Sequence, residues 1–241
     1  MNQFSSTLLA RILVVTALFF SARAGAFPET FSAKYLLSGK GMSLGETTYN
    51  LTKTATDNSS RFTIHTEPTG LAKLFVKKII DESSIWKWRD KKITPIQYNY
   101  HRSGKKERKR SRIFDWNSAT VTIKDDGKEQ KLDQLQSGTV DEALFLLALM
   151  HDLKQGNSEL KYRVAKTGGW SNYLFTVGNS ETTQVPAGEF KTVHIIRQKE
   201  GKRTFELWVA PELDYLPVQV EYREKDGTLF QLQLRSSSIL Q

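Results

Sequence analysis

The sequence predicts a mainly β protein with one buried helix, in which a strongly curved antiparallel sheet forms an incomplete β-barrel, or clamshell, around that helix. Three observations carry the prediction. Apolar and polar residues alternate at period two in about a dozen short segments, the mark of half-buried strands. Residues 139–153 are the one long helical pattern, and the run Ala143, Leu144, Phe145, Leu146, Leu147, Ala148, Leu149, Met150 holds no polar residue, so this helix needs neighbours on every side. No β–α–β alternation is present, which argues against a parallel sheet and leaves one bent sheet to do the surrounding.

Residues 1–26 precede the fold. Arg11, the apolar run 12–20 and the small residues Ala24-Gly25-Ala26 read as a secretory signal peptide, because an apolar run this short falls well below the roughly 18 residues of a membrane span. The absence of cysteine excludes disulfides, thiol chemistry and a lipid-modified N-terminus. Residues 27–241 then read as a single β-rich domain exported to the periplasm, with no linker or repeat to divide it.

The elements follow in order. Phe31, Ala33, Tyr35 and Leu37 share one face of a first strand; Tyr49 and Leu51 mark a second, Phe62 and Ile64 a third. Residues 68–80 fit a helical period through Leu71, Leu74, Phe75 and Ile79 and a strand period through Phe75, Lys77 and Ile79, so their type stays open. Ser84, Trp86 and Trp88 share a strand face, as do Tyr98 and Tyr100. Residues 113–116, 121–123 and 130–132 are strand pieces, the last two joined by a turn at Asp125-Asp126-Gly127. For the helix, Thr139 and Glu142 have the spacing of a capping box and Gly156 is the expected left-handed stop. Strands resume at 162–165, 173–177 and 182–185, with a turn at Gly178-Asn179, and then at 190–197, 204–209, 218–222 and 229–234.

Val185-Pro-Ala-Gly-Glu-Phe190, the strand that follows it, and Leu207-Trp-Val-Ala-Pro-Glu-Leu-Asp-Tyr-Leu-Pro-Val218 resemble the bacterial exported family called domain of unknown function 3108. Tyr35, Gly45, Asp81-Glu82-Ser83-Ser84, Phe114-Asp115-Trp116 and Asp141 agree with it, so the resemblance covers nearly all of the chain after residue 26. It implies a β-rich periplasmic protein, similar in outline to lipoprotein-carrier folds, and brings no catalytic residues. On their own terms the proline and glycine positions are turns between strands.

Chemistry is sparse. The four histidines have no metal-binding spacing, Gly39-Lys-Gly41 lies in a hairpin rather than a phosphate loop, and no nucleophile elbow occurs, so neither a metal site nor a cofactor is expected. Neighbouring carboxylates such as Asp81 and Glu82 face opposite sides of a strand, which leaves a hydrolase the weakest reading. Two surfaces stand out. The first is residues 102–112, with seven basic residues and one acid, which hold most of the excess positive charge. On a strand, Arg108, Arg110 and Arg112 form a row, with Lys105 and Lys109 beside it, able to hold phosphate or carboxylate groups. The second is the concave face, where Tyr35, Trp86, Trp88, Tyr98, Tyr100, Trp116 and Trp208 are candidates to line an apolar cavity with few charges.

The expectation is therefore a monomeric, non-enzymatic carrier or envelope-assembly protein for an apolar or amphipathic anionic component: lipid, lipopolysaccharide or acidic glycan. Export makes nucleic acid a poor partner, and the membrane is touched at most peripherally. The alternative is a module that grips an acidic polymer or protein through the basic hairpin alone.

Overall fold

The computed structural model describes residues 27–55, 58–104, 106–198 and 203–240. The signal-peptide reading of residues 1–26, Lys105 and the turn at 200–202 lie outside them. Fifteen strands among the described residues make one sheet: β1 (Phe31–Gly39), β2 (Met42–Lys53), β3 (Ser60–Pro68), β4 (Ile80–Arg89), β5 (Lys92–Arg102), β6 (Arg108–Asp115), β7 (Thr120–Asp125), β8 (Lys128–Leu132), β9 (Thr139–Val140), β10 (Leu160–Lys166), β11 (Gly169–Val185), β12 (Gly188–Gln198), β13 (Thr204–Ala210), β14 (Leu216–Arg223) and β15 (Leu229–Ser237). The helix α1 is Leu144–Lys154.

The sheet order is β8-β7-β6-β5-β4-β3-β2-β1-β15-β14-β13-β12-β11-β10-β9, so two meanders meet where the first strand pairs with the last. All pairings are antiparallel except β9 with β10. Backbone pairing does not close the sheet, and β8 and β9 remain its edges. The gap is stitched by side chains instead. Arg163 donates to the Gln134 carbonyl at 2.8 Å, Trp170 to Asp133 at 3.0 Å, Gln130 to Lys166 at 3.3 Å and Arg112 to Ala165 at 3.4 Å. The incomplete barrel expected from the periodicity is what forms.

Helix α1 sits inside. Leu144, Leu147, Leu149 and Met150 have no exposed surface, and no residue of the helix is exposed. Covering each such side chain contributes roughly 1.5–3 kcal/mol. The helix begins later than its sequence pattern, however. Thr139 and Val140 pair with Arg163 and Val164 as a strand, and the donors at the helix entry, the amides of Ala143 and Leu144, go to Asp141 Oδ1 at 2.9 and 2.8 Å. The Thr139–Glu142 box does not form, because the neighbouring strand takes Thr139 and Arg112 takes Glu142. Gly156, with φ of 76°, ends the helix as expected.

Two other expectations change. Gly178-Asn179 is not a turn but an irregularity inside the single long strand β11, where Val177 faces Ile195 and Ser180 faces Val193. A Cβ on Gly178 would lie 3.1 Å from the His194 carbonyl oxygen, so the two strands come together there rather than turning away. The ambiguous segment 68–80 is neither helix nor strand throughout: a 3-10 turn, Gly70–Leu74, leads through an irregular stretch to β4.

Antiparallel order places the connections 40–41, 69–79, 103–107 and 224–228 at one end of the sheet, here the rim. Gly45 keeps two of these connections together, since any Cβ there would meet the Glu67 carbonyl oxygen at 2.1 Å. The helix enters at mid-height beside Ser84 and ends toward the opposite end, where the His151 ring lies 5.0 Å from that of Trp88.

Candidate functional site

Because α1 occupies only the lower part of the hollow, a cavity of about 340 Å³ is left above its first turn. Its walls are strand positions two residues apart that face inward: Leu37, Tyr49, Ile64, Leu207, Val220 and Leu232 among them, with Phe205, Tyr222 and Phe230 near the rim. Ala143, Phe145 and Leu146 of the helix entry are its base. The Phe145 ring lies 5.8 Å from Phe175, stacked, and 6.0 Å from Phe205, edge-on, so it holds one side of the base rigid. Residue pairs Leu37–Gly45, Thr66–Ile80 and Tyr222–Phe230 stand next to the rim turns, and the mouth lies at that end.

The base is also acidic. Glu82, from β4, and Glu142, before the helix, open onto the cavity, and Asp141 is buried beside them. Tyr98 donates to Glu82 at 2.6 Å, and Ser84 donates to both Asp141 oxygens at 2.9 and 2.8 Å. Burial pushes the Glu82 carboxyl up to about 7; the Tyr98 bond opposes this, while Glu142 and Asp141 add to it. Burial likewise raises Asp141 to about 6 against the pull of the Leu144 and Ala143 amides and Ser84. Glu82 is thus able to offer either an acceptor or an O–H donor near neutral pH to whatever enters a largely apolar space.

None of the seven aromatic residues proposed from the sequence lines this cavity. Tyr35 is core and donates to the Pro217 carbonyl at 2.9 Å; Tyr98 is buried behind Glu82; Tyr100 lies under Arg110, whose Cζ is 5.2 Å from the ring centre. Trp116 donates to the Pro95 carbonyl at 2.7 Å and packs on a satellite cluster with Phe114 and Val121. Trp208 is on the other face of β13 from Leu207, stacked on His194 with ring centres 4.4 Å apart. Trp86 and Trp88 line a wide cleft of about 860 Å³ at the opposite end, with Phe27 and His151. The lining was missed because the aromatic count favoured tryptophan. The usable signal lay in β4: two residues before Ser84 on the same face stands Glu82, and two before that Ile80.

The arginine row is corrected too. Arg108, Arg110 and Arg112 do share a face, but it is the face that curls inward, and each meets a carboxylate: Asp126 at 3.5 Å, Asp125 at 3.3 Å and Glu142 at 3.2 Å. Arg112 is 1% exposed and also donates to the Ser111, Lys124 and Ala165 carbonyls. It is a structural clasp, not an anion site. Lys109 is exposed on the other face and pairs with Glu107 at 3.0 Å. Among the described residues no three His, Asp or Glu side chains form a metal-ligating group.

A model of the family described as "Protein of unknown function (DUF3108)" matches residues 30–235. Among solved structures, a β-barrel-like protein of domain of unknown function DUF1849 from Brucella abortus is 11% identical, with 86% of this chain and 96% of that one covered at a TM-score of 0.52. This likeness extends to the fold. A candidate lipoprotein from Parabacteroides distasonis ATCC 8503, 10% identical over 88% of this chain and 96% of that one, aligns at 0.36. MucB, 10% identical over 89% of this chain and 55% of that one, aligns at 0.29. Nothing matches among curated proteins.

Proposed function

The chain belongs to the family described as "Protein of unknown function (DUF3108)", and from that premise we propose that it is a non-enzymatic binding protein of the bacterial envelope that carries an apolar or amphipathic component in the hollow above α1. The observation that carries this reading is the cavity itself. It is walled mainly by aliphatic and aromatic side chains, lies within the range of about 300–1,000 Å³ of small-molecule sites, and has a few polar groups, with Glu82 and Glu142 at its base. Location in the periplasm rests on the apolar segment before residue 27 and the lack of cysteine.

The chemistry at the base alters the expected ligand. An anionic head finds no free guanidinium at the base, since Arg110 and Arg112 are already engaged by Asp125 and Glu142. The chain of the ligand belongs in the hollow, and a group that donates hydrogen bonds, such as a hydroxyl, amide or amine, belongs against Glu82; an anionic head, if present, stays at the mouth. A hydrolytic reading has the pair Glu82 and Glu142 in its favour. It is the weaker one, because the apolar walls offer little to hold a polar substrate.

Solvent extraction and mass spectrometry of the chain purified from periplasm test this. Lipid is expected in the extract, and Val220→Trp, which fills the hollow, is expected to remove it together with binding of the apolar fluorophore N-phenyl-1-naphthylamine. An extract free of lipid and a chain that does not bind the fluorophore would sink the reading.

A further inference from the structure

We propose that the rim of the hollow docks on an anionic phospholipid bilayer, with the β3–β4 connection as the inserting element and its lysines, joined by the tip of the β5–β6 hairpin, as the headgroup contacts. The inference goes beyond the carrier reading and stands whether or not the hollow is filled.

The distribution of exposed apolar side chains is its basis. Phe75 is 85% exposed, Leu71 80%, Leu74 67% and Met42 61%; among the described residues the other exposed large apolar side chains reach no more than 49%. Single exposed apolar residues are ordinary, but three of these lie in the β3–β4 connection and Met42 opens β2 beside it at the same end of the sheet, where Gly45 and Pro68 hold the strands in register. Residues 70–75 form a 3-10 turn with its cap, so Leu71, Leu74 and Phe75 are presented together by fixed backbone. Nothing in the fold needs them there, and water is a poor solvent for them.

Charge completes the pattern and chooses the occupant. Lys73, Lys77 and Lys78 alternate with the apolar residues, all three exposed, and none forms an ion pair among the described residues. Residues 67–79 contain one acid, Glu67, against these three lysines. The hairpin tip adds Arg102 and Lys106, and the backbone joins the two: Ser103 donates to the Ile79 carbonyl at 2.9 Å. Acidic side chains beside this tip are engaged, Glu107 with His101 and Lys109. Apolar side chains encircled by cations are what the interface of an anionic leaflet accepts: the rings and alkyl groups enter below the headgroups while ammonium groups meet lipid phosphates. A protein surface of matching shape would need acids paired with each lysine. An anionic bilayer needs no such register. Docked this way, the mouth of the hollow, flanked by Thr66 and Ile80, faces the lipid.

Flotation with vesicles decides the matter. The full chain and a preparation beginning at Phe27 are both used, so that the apolar segment 1–26 is not mistaken for the rim. Flotation is expected with phosphatidylglycerol–phosphatidylethanolamine vesicles and not with phosphatidylcholine alone. The triple changes Leu71→Glu/Leu74→Glu/Phe75→Glu and Lys73→Glu/Lys77→Glu/Lys78→Glu should each weaken it about tenfold or more, with unchanged melting temperature, because all six side chains are exposed. A Phe75→Trp probe should shift its fluorescence to the blue on the anionic vesicles. The proposal is overturned if the preparation from Phe27 does not float, if it floats equally on phosphatidylcholine, if the triple variants float as the parent does, or if the Phe75→Trp emission stays where it was. A lipid-free extract under the previous test would leave vesicle flotation untouched, so the two ideas fail separately.

Discussion

Two cationic stretches stand side by side at the rim, the β5–β6 hairpin with the strand it feeds and the β3–β4 connection, and the fold uses their charges in opposite ways. From the hairpin downward, Arg108, Arg110 and Arg112 descend from solvent to core, and each is matched by a carboxylate brought from β7, the turn after it or the helix entry. In the connection the lysines alternate with exposed apolar side chains and have no such partners among the described residues. A dense run of positive charge along the chain therefore says little about charge that a ligand could reach. Availability depends on which face curls inward and on what the opposite strand carries.

The largest effect is expected at the buried end of the arginine row. Arg112→Ala strips Glu142 of its partner inside the protein and is expected to cost about 3–5 kcal/mol in denaturant unfolding. The double change Arg112→Met/Glu142→Gln should recover a large part of that loss. If Arg112→Ala unfolds no more easily than the parent, the clasp is no clasp.

The next effect concerns the carboxyl beside that clasp. Glu82 is raised to about 7 from an ordinary 4.5, so the folded state holds its proton more tightly than the unfolded chain. Stability from this group is complete below about pH 4.5 and is lost as pH rises to about 7, by roughly 3 kcal/mol at 1.36 kcal/mol per unit. Asp141, raised to about 6, adds in the same direction between its ordinary value and 6. Glu82→Gln should therefore leave stability at pH 4.5 nearly unchanged and raise it at pH 8. Unfolding curves of the two proteins that run parallel across this range would contradict the placement of Glu82.

Where the two stretches touch, Gly104 has φ of 104° and a Cβ would lie 2.4 Å from the Lys77 carbonyl oxygen. Gly104→Ala is expected to cost about 1–3 kcal/mol, and to loosen the connection as well as the hairpin in hydrogen exchange. The smallest effect belongs to the lysines: Lys73→Ala, Lys77→Ala and Lys78→Ala should each change stability by no more than about 0.5 kcal/mol. Larger losses would mean that they too are spent within the fold.

Much of the architecture was legible along the chain. Period two in residues such as Phe31, Ala33 and Tyr35 marked strands, and the polar-free run 143–150 marked an enclosed helix, because burial on one face or on all faces imposes those patterns directly. The motifs that resemble the family are structural in the fold as well: Gly188 follows a tight turn into β12, and Pro217 accepts the Tyr35 hydroxyl. Less legible were events in which a distant partner outbids a local one. Thr139 had every local reason to cap the helix and instead completes a sheet edge, while Asp141, two residues on, takes the amides. The candidate site was least legible of all. Counting aromatic residues pointed to seven side chains, none of which lines the hollow, whereas its walls are mainly aliphatic, Phe and Tyr side chains spread across both meanders.

By itself the sequence determined the periodicities, the enclosed helix, the positions of most turns and the amount of positive charge, all of which follow from neighbours a few residues apart. Only the tertiary structure decided that the helix stops short of the rim and leaves a hollow, that Glu82, Asp141 and Glu142 meet at its base, and that Arg108, Arg110 and Arg112 are neutralised while the lysines of the β3–β4 connection are left to solvent. Those outcomes depend on how far the sheet curls and which strands it brings opposite each other, and curvature accumulates over fifteen strands rather than residing in any one of them.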